Sequence, residues 1–155
     1  MLKKILIVIV ALGVLGGGYA AYLFYQPHRD VQAAKVEVVT TVKDLMAEYK
    51  VNADSANAKY LSSDGDSKIF ALSGKVAEIS ENSNKEKVVT LREEGKEVGV
   101  ACTFTAEASK APETQKLKVG DVITIKGAIT SGPDFDPDLS SDATMKDCAL
   151  QPAKK

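Results

Sequence analysis

Hydrophobic and polar positions alternate most clearly in two stretches that each carry a glycine in the middle. Residues 69–79 read IFALSGKVAEI, and residues 122–130 read VITIKGAIT. Alternation with a period of two predicts β-strands. A glycine inside a strand marks a bulge or sharp coil, which a small closed barrel needs. Gly74 and Gly127 are therefore expected to be the coil points of two strands that pair to close a barrel.

Three more stretches have the strand pattern and are separated by turn residues. The five predicted strands span residues 68–80, 85–93, 97–105, 122–130 and 142–151. A short helical turn around Pro112 is expected between the third and fourth strands. Three strands, a connection and two further strands favour a mainly β, five-stranded Greek-key barrel. A β-sandwich is the alternative, although five strands are few to close one.

A helical segment is expected before the barrel. Thr41 and Asp44 have the spacing of a helix N-cap and its acidic N3 residue. The apolar residues that follow are three or four positions apart and form one stripe, namely Val42, Leu45, Met46, Tyr49, Ala53, Ala56 and Tyr60. Asn52 and Asp54 can divide the segment into two helices, with Asp54 capping the second. The stripe is expected to pack against the barrel, so residues 41–151 are predicted to form one domain.

The N-terminus predicts a membrane anchor. Residues 5–25 are 21 residues without a charge, long enough to cross a bilayer, and lysines precede them. Residues 1–25 are thus predicted to be a transmembrane helix, 26–40 a tether and 152–155 a tail. The N-terminus is expected in the cytoplasm and the domain in the periplasm of a bacterial inner-membrane protein. A signal peptide cleaved after Ala20 is the alternative.

The charge of the domain disfavours nucleic acid as a partner. From residue 30 onward the chain has 17 basic and 21 acidic residues. A protein that binds a phosphate backbone needs a basic face. A local basic patch remains possible within an acidic domain, so single-stranded nucleic-acid binding stays as the alternative function.

Several motifs along the chain resemble one family. They are AEY (47–49), ANAKY (56–60), SGKV (73–76), VACTF (100–104), GDVITIKG (120–127) and DCAL (147–150). In this order they resemble the uncharacterised bacterial OB-fold family called tRNA-anticodon-binding-like. The resemblance covers residues 25–150 and implies an OB barrel. It implies no RNA activity, because function inferred from a fold alone is analogy.

An OB fold implies candidate ligand contacts. Ligands of such barrels bind the second and third strands and the loops beside them, here residues 81–84 and 131–141. The candidate ligand-binding residues are therefore Asn82, Asn84, Arg92, Asp134, Phe135 and Asp136. The expected partner is an envelope protein or an envelope oligosaccharide. A purely structural adaptor in an envelope complex is a further possibility.

The two cysteines are expected to form a disulfide bond. Cys102 and Cys148 lie on the apolar faces of the third and fifth strands, which are neighbours in an OB barrel. An even count in an oxidising compartment favours a bond. The alternative is a pair of buried free thiols that pack as small apolar groups.

No metal, cofactor or catalytic activity is expected. Asp134, Asp136 and Asp138 have the spacing of the first calcium-loop ligands, but Leu139 and Met145 replace the glycine and the glutamate that such a loop requires. We therefore expect a solvated acidic loop. The single histidine, His28, has no partner for acid–base chemistry, and no nucleophile or phosphate-loop motif is present. The predicted function is non-catalytic binding by a membrane-anchored adaptor.

Overall fold

The structure is a computed structural model that describes residues 17–18, 30–62 and 67–151. The predicted membrane helix lies outside the described residues apart from Gly17 and Gly18, and so does the predicted tail. Among the helices that are described, none is both long and apolar enough to cross a bilayer.

The described chain forms six strands and four helices. The strands are β1 (Val38–Thr41), β2 (Ile69–Glu81), β3 (Lys87–Leu91), β4 (Val100–Phe104), β5 (Val122–Ser131) and β6 (Ala143–Leu150). The helices are α1 (Val42–Val51), α2 (Ala53–Tyr60), α3 (Ala106–Lys110) and α4 (Pro112–Gln115).

The topology of strands β2 to β6 confirms the predicted OB barrel. Their order is β2-β3-β4-β6-β5, and β5 also pairs with β2, which closes the barrel. Neighbouring strands are antiparallel except β4 and β6, which are parallel. Gly74 pairs with Ile123 and Gly127 pairs with Phe70, so the two glycine-centred strands do close the barrel.

The two glycines have different roles at this closure. The β5–β6 register shifts between Lys126 and Ala128, so Gly127 lies at a bulge as expected. The irregularity in β2 lies between Val76 and Glu78 instead, beyond Gly74. A Cβ atom on Gly74 would lie 2.6 Å from Cγ2 of Val42. The lack of a side chain at this glycine therefore allows α1 to pack close to the sheet.

Helices α1 and α2 pack against the core of the barrel. Val42, Leu45 and Tyr49 of α1 are almost fully buried in the core. Asn52 separates the helices and caps α2, because its Oδ1 accepts a hydrogen bond from the Ser55 N–H at 2.9 Å. The predicted cap at Asp54 is therefore wrong, and Asp54 lies in the first turn of α2. Tyr60 packs edge-on against Phe70, with 5.1 Å between ring centroids. The predicted stripe therefore packs on the barrel, except for Ala53, which is exposed.

The predicted tether is folded onto the barrel where it is described, from residue 30 onward. Residues 38–41 form β1, which runs parallel to β2. Nζ of Lys126 donates to the carbonyls of Gln32 and Ala34 at 2.7 and 2.6 Å. The side chain of Gln32 in turn donates to the carbonyl of Asp147. The tether prediction is thus wrong for residues 30–40, because their composition did not reveal partners that lie much later in the chain, in β2, β5 and β6.

The predicted disulfide is absent from the structure, in which Cys102 and Cys148 are free and buried. Burial, together with the neighbouring Cys102 thiol, raises the pKa of the Cys148 thiol well above its usual value. A buried thiol in apolar surroundings packs as a small hydrophobic group. The structure therefore contains the alternative state of the two cysteines, a pair of buried free thiols.

A hydrogen-bonded triad joins the two helices and gives a pH-dependent prediction. Glu48 accepts from Nζ of Lys59 at 2.6 Å and from the Tyr60 hydroxyl at 2.5 Å. These two bonds lower the pKa of Glu48 below 4.5. Their stabilising contribution is complete above the unfolded-state pKa and is lost as the pH falls through the lower folded-state pKa. Urea unfolding at pH 6 and pH 3 should show that Glu48→Gln loses less stability on acidification than the wild type.

The matched control for this experiment is Glu78→Gln, because Glu78 is an exposed carboxylate on β2. It should keep the full acid sensitivity of the wild type. Equal acid sensitivity in the wild type and Glu48→Gln would show that the triad contributes nothing to the pH dependence.

Candidate functional site

A cleft of about 380 Å³ lies beside α1 and has three walls. The walls are α1, the β3–β4 turn (residues 92–99) and the β5–β6 loop (residues 132–142). This volume is within the range of clefts that bind ligands or side chains of a partner. The wall residues are Lys43, Met46, Ala47 and Lys50, then Glu93, Gly95, Lys96, Glu97 and Val98, then Phe135, Asp136, Pro137 and Ser140.

The wall from α1 is one stripe of the helix. Lys43, Met46, Ala47 and Lys50 are spaced at i, i+3, i+4 and i+7, so they lie on one face of the helix. Met46 belongs to this face and also to the buried face that packs on the barrel. The same helix therefore contributes an apolar floor and two lysines above it.

The other two walls are tied together by an ion pair. Nη2 of Arg92 donates to both carboxylate oxygens of Asp142, at 3.0 and 3.3 Å. Asp142 Oδ1 also accepts from the backbone N–H of Gly99 at 2.7 Å. Arg92 follows β3, Gly99 precedes β4 and Asp142 precedes β6. One carboxylate therefore holds the β3–β4 turn against the end of the β5–β6 loop.

The aspartates of the β5–β6 loop shape the loop. Asp134 Oδ1 accepts from the N–H of Asp136, and Asp136 Oδ1 accepts from the N–H of Asp138, each at 2.9 Å. Backbone hydrogen bonds between Asp134 and Ser141 close the loop at its base. These turns present Phe135 to the cleft, where Nζ of Lys50 lies 5.1 Å from the ring centroid, a cation–π distance.

The structure separates the six predicted ligand residues into three pairs. Phe135 and Asp136 line the cleft. Arg92 and Asp134 lie beside it and have the bracing roles described above. Asn82 and Asn84 lie in the β2–β3 turn, at the opposite end of β3, about 17 Å away by strand length.

Asn82 has a structural role in that turn. Its Oδ1 accepts from the N–H groups of Asn84 and Glu86 at 3.0 Å each, and its Nδ2 donates to the Glu86 carboxylate at 2.8 Å. Its hydrogen-bonding groups are therefore used within the turn itself.

On the outer face of β3 and β4, where other OB folds bind ligands, the side chains are short and uncharged. Val88 pairs with Thr103 and Thr90 pairs with Ala101 across this face. The adjacent residue of β2 is the acidic Glu78. Stacking of bases requires aromatic side chains, and tracking of a phosphate backbone requires cations. These strand positions have neither, whereas the cleft has an aromatic ring and three lysines.

Sequence reasoning missed the lining residues of α1 and those of the β3–β4 turn, where it had pointed only to Arg92 beside the cleft. The available signal was the second stripe on the helix, Lys43, Ala47 and Lys50, which lies beside the core stripe. A stripe of two lysines and an alanine is typical of a solvated helix face, so its role appears only when the loop that faces it is known. In the described part of the chain, no group of three or more His, Cys, Asp or Glu side chains is arranged to hold a metal ion.

Tyr49 lies under the β5–β6 loop and gives a stability prediction. A Cβ on Gly132 would lie 2.6 Å from Cε1 of Tyr49, so the loop packs directly on the ring. The Tyr49 hydroxyl is buried without a hydrogen-bond partner in the described residues, and burial raises its pKa to about 12. Because a buried unpaired hydroxyl is destabilising, Tyr49→Phe should stabilise the protein by about 1 kcal/mol. Denaturant unfolding measures this, and a loss of stability would show that the hydroxyl has a partner.

The fold and the cleft together define an OB-fold domain with an added pair of helices. The tRNA_anti-like family matches residues 1–136, and the chain belongs to this family. No curated protein matches the sequence.

Two solved structures resemble the chain. A "putative nucleic acid-binding lipoprotein" from Klebsiella pneumoniae subsp. pneumoniae MGH 78578 is 18% identical with a TM-score of 0.53, and the match covers 82% of this chain and 100% of that one. This likeness supports the fold alone. An asparaginyl-tRNA synthetase from Entamoeba histolytica is 15% identical with a TM-score of 0.43, and the match covers 74% of this chain and 24% of the synthetase.

Proposed function

We propose that this protein is a non-catalytic adaptor that binds a protein partner in the cleft formed by α1, the β3–β4 turn and the β5–β6 loop. The proposal includes an N-terminal anchor in the bacterial inner membrane and a periplasmic domain. The uncharged run at residues 5–25 supports the anchor, because its length matches the hydrocarbon core of a bilayer.

The observation that carries the proposal is the balance of charge in the cleft. Its lining has three cations and three anions around an apolar floor: Lys43, Lys50, Lys96, Glu93, Glu97 and Asp136. A polyanion would gain from the lysines and lose as much to the carboxylates. A polypeptide offers apolar groups and charges of both signs, so it matches this lining. An oligosaccharide would find one aromatic ring here, Phe135, among charged groups.

The charged groups of the cleft are available to a partner. The side chains of Lys43, Lys96, Glu93 and Glu97 form no ion pair with any other residue that the structure describes. Most of them are also exposed. Exposed lysines and carboxylates are surrounded by water, whereas catalytic groups usually act in a site that excludes water. Binding without catalysis therefore fits the lining best.

Photocrosslinking in living cells tests this proposal. A photoreactive amino acid at Ala47, which is exposed in the cleft, should form an adduct with a specific envelope protein. The control position is Val51, which is 87% exposed on the same helix and lies outside the cleft. The proposal fails if the Ala47 position yields no protein adduct, or if both positions yield the same adducts.

Single-stranded nucleic-acid binding is the second candidate function. The observation that favours it is Phe135 with the Lys50 ammonium over its ring, because an aromatic ring beside a cation can stack a base. The purified chain should then bind a single-stranded oligonucleotide with an affinity that falls steeply with salt. We expect no such binding, because the carboxylates of the cleft oppose a phosphate backbone.

A further inference from the structure

The charges of the cleft are sorted by wall. The α1 wall contributes two cations, Lys43 and Lys50. The β3–β4 turn contributes Glu93 and Glu97 with one cation, Lys96. The cleft therefore has a basic side along α1 and a more acidic side along the turn, although its total charge is zero.

The floor between these sides is apolar. Met46 and Ala47 come from α1, and Val98 comes from the β3–β4 turn. Phe135 and Pro137 close the third side from the β5–β6 loop. An occupant that reaches the floor must bury an apolar side chain between the two charged walls. Anchors of this kind carry most of the binding energy of an interface.

From this arrangement we infer that the cleft takes an amphipathic segment of the partner protein, with acidic residues facing α1 and a basic residue facing the β3–β4 turn. An aromatic or long aliphatic side chain of the segment lies on the floor against Phe135 and Met46. The inference rests on the proposed function and adds the chemistry and the orientation of the segment.

Charge order is what selects this occupant. A uniformly acidic segment meets Glu93 and Glu97, and a uniformly basic one meets Lys43 and Lys50. A segment with both charges in the reverse order meets like charge on both walls. Like charges placed together across an interface suppress the wrong partner and fix the register of the right one. The cleft therefore selects the direction of the bound segment as well as its composition.

The test pans one random peptide library displayed on phage against two forms of the full chain purified in detergent. One form is the wild type, and the other is the double variant Lys43→Glu/Lys50→Glu. The wild type should select peptides that have an apolar anchor flanked by Asp or Glu. The double variant should select Lys or Arg at those flanking positions. A change that merely damaged the helix would lose binding without inverting the selected charge.

The matched control is Lys110→Glu/Lys116→Glu, which makes the same change of charge at two exposed lysines at the other end of the barrel. It should select the same peptides as the wild type. Peptides selected on the wild type should bind Phe135→Ala at least about tenfold more weakly. The inference is overturned if no peptide is selected, if the double variant selects the same charges, or if Phe135→Ala binds equally well.

These outcomes separate the inference from the proposed function. If a partner crosslinks from Ala47 through a segment that lacks this charge order, the proposed protein-binding function stands. The inference about the segment is then refuted. If peptides with the expected charge order are selected but Ala47 forms no adduct in cells, the inferred specificity of the cleft stands. The proposed adaptor function is then refuted.

Discussion

Gly127→Val is expected to prevent the barrel from closing. A Cβ at this position would lie 2.5 Å from Sγ of Cys148 and 3.1 Å from the carbonyl oxygen of Lys146. The neighbours cannot withdraw, because Cys148 is fully buried in the core and the carbonyl belongs to the paired strand β6. Overpacking a core usually costs 1–3 kcal/mol, and a branched side chain against backbone should exceed about 3 kcal/mol. Soluble yield and denaturant unfolding measure the loss.

The matched control is Ser80→Val, which adds the same side chain at an exposed strand position of β2. It should change stability by no more than about 0.5 kcal/mol. Gly74→Val should resemble Gly127→Val, since its Cβ would lie 2.6 Å from Cγ2 of Val42 and 3.2 Å from Cβ of Leu91. Wild-type stability of either glycine variant would contradict the packing described for the two closing strands.

Asp142→Ala is expected to loosen two walls of the cleft at once. It removes the acceptor for the Gly99 N–H at 2.7 Å and leaves the half-buried Arg92 guanidinium without its carboxylate. A buried donor that loses its partner costs about 1–3 kcal/mol, and more when a charge is involved. We expect a loss of about 2–3 kcal/mol in the free energy of unfolding. Binding at the cleft should weaken as well, because the β3–β4 turn is no longer held to the β5–β6 loop.

The control for this prediction is Asp138→Ala in the same loop. The Asp138 side chain is exposed and makes no hydrogen bond to another described residue, so its removal should change stability by no more than about 0.5 kcal/mol. Equal stability of Asp142→Ala and Asp138→Ala would show that the Arg92–Asp142 pair does not brace the cleft.

The barrel was predictable because each strand has a local sequence pattern, in which apolar and polar residues alternate. The alternation around Gly74 and Gly127 identified the two strands that pair, and the N-cap at Thr41 identified the start of α1. Each of these signals is contained within about ten residues of the chain. Their agreement in order with an OB barrel then determined which strands are neighbours.

The docked segment before β1 was not predictable in the same way. Its partners, Lys126 and Asp147, are separated from Gln32 by 94 and 115 positions. Charged and small residues suggest a solvated linker unless the surface that satisfies them is known. The same reasoning applies to the cysteines, because strand parity places both in the core but does not determine whether their sulfurs bond.

The cleft was half predictable. The OB topology pointed to Phe135 and Asp136 in the β5–β6 loop, and the structure places both in the cleft. The same analogy pointed to Asn82 and Asn84, which shape a turn at the far end of β3. The added helix α1 explains the difference, because it supplies a wall that a five-stranded barrel alone does not have.

Comparing photocrosslinking from Ala47 with photocrosslinking from Thr103, on the outer face of β4, tests the central claim most directly. The cleft account predicts a specific protein adduct from Ala47 that Phe135→Ala removes, and no such adduct from Thr103. A specific adduct from Thr103 that persists in Phe135→Ala, with none from Ala47, would place the binding site on the strand face and contradict the account.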